Sequence, residues 1–331
     1  MRPCIYFSPK PQLDVFEGTR LRKNLKGALE LHNIDYAKNL DDEFDLAHFI
    51  ALNDESKIDD AIEMGSKIVF SALYTERDPS CKIFTGLKEH KELSNKALRV
   101  LNKCDLVLVP SEEDKKTLID NDVISKIEVL TPGVNLSRFH KTGRDEDDVF
   151  FEYYQLEKGA KCIATIGTLN DQETIEKLFS IARQLPDYKF FYYGPGKHPW
   201  ANLFSRHKIP HNVLLSGLTN DEIFCSMLKN LKCFLVLSDV NSSLMTLLEV
   251  MASKTEIIAL DSITKNKEIL IKEKRAHACA STTEIVDLIL KLENGEVESY
   301  AEEAYKFAKK NSLKNLGQEL INKYQTLLEG K

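Results

Sequence analysis

The 331-residue chain is 43% apolar and 29% charged, with a net charge of −6. That length suggests about two domains. Neither half is basic, with 22 Lys+Arg against 28 Asp+Glu in residues 1–150 and 23 against 23 in the rest, which argues against a nucleic-acid-binding domain.

Seven scattered Cys without paired spacing read as reduced thiols of a cytosolic protein. The opening "MRPCIYFSPKP" has too short an apolar run for a signal peptide, and no stretch approaches the roughly 20 apolar residues that span a bilayer. The expectation is a soluble, cytoplasmic chain that at most rests on a membrane.

Taken in order, short apolar runs alternate with helical patterns. "CIYFS" (4–8) precedes a helix near 19–32, and "DLAHFIA" (45–51) precedes one near 56–64. "KIVFSA" (67–72), "DLVLVPS" (105–111) and "KIEVLTPG" (126–133) are further buried-strand runs. The charged cluster Arg144 to Asp148 reads as a surface linker. Then "CIATIG" (162–167), a helix over 171–184, "KFFYYGPG" (189–196), "NVLLSG" (212–217), "CFLVLSD" (233–239) and "EIIALD" (256–261) repeat the alternation. The tail, 283–329, is amphipathic and helical. This β-α alternation predicts an α/β protein with two doubly wound parallel sheets. Ligands of such sheets bind at the carboxyl ends of the strands, where the strand order reverses, so the expected site lies in a cleft between the two domains.

In "NSSLMTLLEVMASKTEIIALD" (241–261), Leu244, Leu247, Leu248 and Met251 recur at i, i+3, i+4, i+7, the buried stripe of a helix. Glu249 falls outside that stripe. The helix follows the strand "CFLVLSD", so its free N–H groups and dipole favour an anion such as a diphosphate. Glu249 is then either a ligand-binding carboxylate, a solvated helix charge, or the acid of a Thr246–Glu249 capping box. The early start of the apolar pattern at Leu244 fits the box poorly.

"LLEVMASKTEIIALD" resembles the "LLEAMASGTPVVA" segment of the family 4 glycosyltransferases, which have the GT-B fold of two Rossmann-like domains facing a cleft. "CDLVLVPSEEDKKTLI" (104–119), "VLTPGVNLSRF" (129–139), "LPDYKFFYYGPG" (185–196) and "HNVLLSGLTNDEIFCSML" (211–228) are similar to further segments of that family, in the same order. "RLRKNLKGALELHNIDYAKNLDDEFDLAHF" (20–49) is similar to bacterial enzymes that add a second sugar to a glycosyl-diacylglycerol.

The resemblance implies an acceptor domain over 1–145, a donor domain over 146–305, and a last helix within 306–331 that packs back. It implies a retaining, metal-independent transfer of a hexose from a nucleotide-diphosphate sugar, a UDP-sugar, to a lipid or saccharide acceptor such as a glycolipid. No other cofactor is expected. Glu249 takes the place of the Glu that holds the nucleotide ribose, a role a carboxylate can fill by accepting both hydroxyls. Asn241, Ser242, Ser243 and Leu244 replace the preceding Glu and its glycine loop, and Gly194 ends the strand at "GPG". In the segment after Gly167, Thr168 and Glu173 stand where the family has a diphosphate-binding Arg and Lys. Lys177, one helical turn on, and Lys197 are candidate replacements. In the first domain the glycine loop shrinks to "EGTR" (17–20), leaving only Gly18, with Thr19 beside it as a cleft candidate; Leu73 replaces a His, and Thr75 and Glu76 follow it. His48 is a cleft candidate or a satisfied core residue.

These substitutions leave two readings, a divergent enzyme and a catalytically silent GT-B protein that binds a partner or ligand. The eight His show no metal spacing, and no dinucleotide fingerprint or P-loop occurs. The helix from Arg20 to Leu31, with Arg20, Arg22, Lys23 and Lys26, is either an anionic-membrane contact or the first Rossmann helix with its charges facing out.

Overall fold

The computed structural model describes residues 1–8, 17–73, 81–85, 92–140, 143, 147–168, 171–194, 209–217, 219–239 and 243–330. The chain forms two compact units, Met1–Asn135 with Asn311–Lys331, and Leu136–Lys310. The sequence reading puts the first boundary at 145/146, and the chain divides earlier. The reason is visible at Arg138, which lies before the expected boundary and pairs with Asp221 in the second unit; Asp147, which reads as part of a surface linker, is also buried in that unit. Its carboxylate pairs with Lys229 Nζ at 2.8 Å, and its carbonyl accepts from Ser226 Oγ at 2.7 Å. A charged residue can go inside when a cation meets it there.

The first unit has strands β1 (Pro3–Tyr6), β2 (Leu46–Phe49), β3 (Lys67–Ser71), a short antiparallel ribbon of β4 (Phe84–Thr85) and β5 (Glu92–Leu93), then β6 (Leu106–Val109) and β7 (Ile127–Val129). The main sheet runs β1-β2-β3-β6-β7, all parallel. On the outer side of β1 the chain makes one further parallel bridge, Cys4 to Ala37. Helices α1 (Glu17–Leu31), α2 (Glu55–Glu63), α3 (Asn95–Leu101) and α4 (Glu112–Asp120) connect the strands. Ser94 and Ser111 cap α3 and α4 by accepting the N–H of Ala97 and Asp114, as Ser does at helix starts. The strands of the main sheet are short, mostly apolar runs, as buried parallel strands are.

In the second unit α5 (Leu136–Phe139) and α6 (Val149–Tyr153) lead into β8 (Cys162–Ile166), α7 (Gln172–Gln184), β9 (Lys189–Tyr193) and β10 (Val213–Gly217). There follow α8 (Asp221–Asn230), β11 (Leu231–Val236), α9 (Leu244–Ala252), β12 (Glu256–Leu260), a π-helical turn over Glu268–Lys272, β13 (His277–Cys279), α10 (Thr282–Glu293) and α11 (Ala301–Lys310). The sheet order is β10-β9-β8-β11-β12-β13, all parallel. The order therefore reverses between β8 and β11.

The last helix, α12 (Leu313–Leu328), returns to the first unit and packs along α1. Gly317 makes that approach close: a Cβ there would lie 2.5 Å from the His32 ring and 2.6 Å from the Ala28 carbonyl. With α12 packed along it, α1 has only Lys23 of its four cations exposed, the others being half-buried, and Lys26 sits 4.8 Å over the Tyr36 ring.

Candidate functional site

The reversal point of the second sheet is where its ligand crevice is expected on topology alone. The carboxyl ends of β8, β9 and β10 are joined tightly there. Gly167 N donates to Tyr193 O at 2.8 Å, and Gly194 N donates to Gly217 O at 3.0 Å. A Cβ on Gly194 would stand 1.7 Å from the Gly167 carbonyl oxygen. The glycine of "GPG" is thus required by strand packing, whatever the turn beyond it binds. Thr168 continues β8, and its carbonyl accepts from Tyr192 Oη at 2.8 Å and Asp171 N at 2.9 Å.

Asp171 then ties the two sides of the crevice together. Its carboxylate caps α7 through Thr174 N and Oγ1 and accepts from Ser238 Oγ, just past β11, at 3.1 Å. Glu173 is on the first turn of α7 with its side chain 63% exposed, bonded to Lys177 Nζ at 2.7 Å. That ammonium also donates to the carbonyl of Leu237, the residue just after β11, at 3.3 Å.

Across the reversal point, α9 begins at Leu244 with Ser243 at its N-cap, and the Ser243 side chain makes no cap hydrogen bond. Asn241 and Ser242 lie outside the described residues. Every residue of α9 is buried, Glu249 included at 8% exposure. Glu249 is therefore no solvated charge. Thr246 is not the N-cap: it is fully buried two residues inside the helix, and Ser243 holds that place.

Glu249 lies in the field of Arg138 on α5 and Cys225 on α8. Arg138 pairs with Asp221 Oδ2 at 2.5 Å and donates to Cys225 Sγ at 3.2 Å. Burial opposes the charge on Arg138, but Cys225, Asp221 and Glu249 outweigh it and raise its pKa. Burial likewise pushes the Cys225 thiol up to about 12, against the pull of Arg138. The carboxylate thus stands in a fixed electrostatic setting. Sequence reasoning singled out Glu249 and missed Arg138, whose place within "VNLSRF" carries no charge pattern that points to α9.

The first unit separates its candidates. Gly18 is held by packing, since a Cβ would meet Cys81 Sγ and the Phe7 ring at 2.7 Å. Thr19 is buried beside it. His48 is the satisfied core histidine. It is fully buried, with Tyr324 Oη 2.6 Å from Nδ1 and Ser71 Oγ 2.7 Å from Nε2. Burial drops its pKa to about 3, so it stays neutral. Leu73 is buried and lines a small apolar pocket with Leu21, Ala72, Leu130 and Leu316. Thr75 and Glu76 lie outside the described residues.

A further group, missed in the sequence, is Asp54. Its buried carboxylate accepts from Ser8 N at 3.2 Å and from Ser8 Oγ, at the end of β1. Burial raises its pKa, partly offset by those two bonds. In the charge-rich "LNDESKIDD" nothing distinguishes it from its neighbours.

Residues 147–311 match the family model described as glycosyl transferases group 1. The chain is 22% identical over 313 residues to a processive diacylglycerol alpha-glucosyltransferase of Acholeplasma laidlawii, covering 92% of each. Among solved structures it is similar to Anabaena HepE in complex with UDP and glucose, with a TM-score of 0.72, 12% identity and coverage of 98% of this chain and 99% of that one. Sucrose-phosphate synthase of Thermosynechococcus elongatus gives a TM-score of 0.65 at 12% identity, covering 98% and 81%. The strand order, the reversal point and these matches agree: the chain has the GT-B fold, and its residues 147–311 match the group 1 glycosyl transferases.

Proposed function

We propose that this glycosyltransferase moves a hexose from a nucleotide-diphosphate sugar, a UDP-sugar, to a glycolipid acceptor of the glycosyl-diacylglycerol type, with retention at the anomeric carbon and without a metal ion. The observation that carries the reading is Glu249, a buried carboxylate on the helix that follows the reversal-point strand. In that place it would accept the two ribose hydroxyls, while the start of α9 faces the diphosphate. The UDP in the Anabaena HepE structure supports the donor class. The diacylglycerol substrate in the name of the Acholeplasma relative supports the acceptor class.

Calorimetric titration with UDP, UDP-glucose and GDP-sugars tests the donor. UDP binds, and Glu249→Ala weakens it by about 10- to 100-fold, the loss of a charge-assisted pair. Unchanged affinity in that variant removes the ribose role. Transfer is then assayed on glycosyl-diacylglycerol in mixed micelles with a chelator present, and the product anomer is read by NMR.

The exposed Glu173 and the buried Leu73, in place of polar active-site groups, favour the second reading of a silent GT-B protein. Donor binding without hydrolysis or transfer on any acceptor would establish it. A lipid acceptor also brings the protein to an anionic membrane face as a peripheral contact. Among the described residues no helix is long and apolar enough to cross a membrane. Because α12 covers α1, that contact is sought elsewhere on the surface, by sedimentation with anionic and neutral vesicles.

A further inference from the structure

We infer that Lys177 is the residue that neutralises the donor diphosphate, an inference that rests on the nucleotide-sugar reading above. Lys177 is on α7, the helix that follows β8, and its ammonium donates to the Leu237 carbonyl at the end of β11. It therefore links the helix that follows β8 to the end of β11, and the sheet order reverses between those two strands, the place where such folds put their ligand. Its stem is packed, with the side chain 24% exposed, so the charge is held there and does not sweep through solvent. An ammonium has three N–H donors. The described partners, Leu237 O and Glu173, engage two of them.

Glu173 explains how the charge is kept in place without a ligand. It precedes Lys177 by one helical turn, the favourable order for such a pair. It is also mostly solvent-exposed, so the pair is weak and gives way to a multiply charged anion. Lys267 offers a contrast. It is paired with Asp261 just past β12, one strand further from the reversal point, and has no bond to β8 or β11 among the described contacts.

The test titrates uridine, UDP and UDP-glucose into the full chain and its variants. Lys177→Met weakens UDP by about 10- to 100-fold, the range of a charge-assisted bond, and leaves uridine unchanged. Lys177→Arg restores part of the loss. Glu173→Gln tightens UDP by about two- to fivefold at low salt, and the gain fades as salt screens it. Lys267→Met leaves UDP affinity at the wild-type value. If Lys177→Met binds UDP as the wild type does, or loses uridine and UDP equally, this inference is overturned while the nucleotide-sugar reading stands. If the wild type binds no nucleotide, both fall.

Discussion

His48 shows what burial does to a single residue. Its ring is neutral and saturated by Tyr324 and Ser71, with its pKa pushed from 6.5 to about 3. Between those values the unfolded chain binds a proton that the folded chain refuses. Its contribution to stability is complete above about pH 6.5 and is lost as pH falls toward 3, by about 1.4 kcal/mol per unit. Urea titrations at pH 7 and pH 5 check this: His48→Gln loses about 2 kcal/mol less than the wild type over that interval. The sequence shows a His ending a strand and leaves its orientation open, because both partners come from other segments. Glu249 was legible as an acid outside an apolar stripe, and its burial was not. There it lies in the field of Arg138 and Cys225, which come from other helices.

At the scale of elements, the strand runs were easy to read because each is a mostly apolar stretch closed by a polar turn. The exceptions were β13 and the ribbon of β4 and β5, all too short to show a pattern. Helix α9 read as a stripe and is buried all round, since it lies against α5 and α11 as well as β12. The meeting of β8 and β9 yields a sharp expectation. Gly194→Ala puts a methyl 1.7 Å from the Gly167 carbonyl oxygen, and backbone cannot step aside cheaply. The strand ends must part, at a cost of about 2–4 kcal/mol, and UDP affinity falls with them. Chemical denaturation and calorimetry on the same variant check both outcomes. The sequence shows that glycine as part of a turn, and only the neighbouring strand makes it obligatory.

For the molecule as a whole, the first unit is built from both ends of the chain. Residues 311–331 complete it, and α12 buries Leu316, Leu320, Ile321 and Tyr324 there. Leu320→Ala should destabilise that unit by about 2–5 kcal/mol, the range for a leucine deleted from a packed core. Limited proteolysis followed by mass spectrometry reads where the loss falls: new cleavage sites appear within residues 1–135, and residues 136–310 keep their protection. Equal exposure of both segments would count against α12 as a part of the first unit alone.

The alternation of apolar runs with helical periods, set by local backbone geometry, was enough to determine an α/β chain of two doubly wound sheets and to bring Glu249 forward. Tertiary structure decided the company each residue keeps: Lys177 at the end of β11, Arg138 beside α9, Tyr324 on His48. Periodicity records which face of an element is apolar. It carries no record of which distant segment will cover that face, because strand order and helix packing are settled only when the whole sheet assembles.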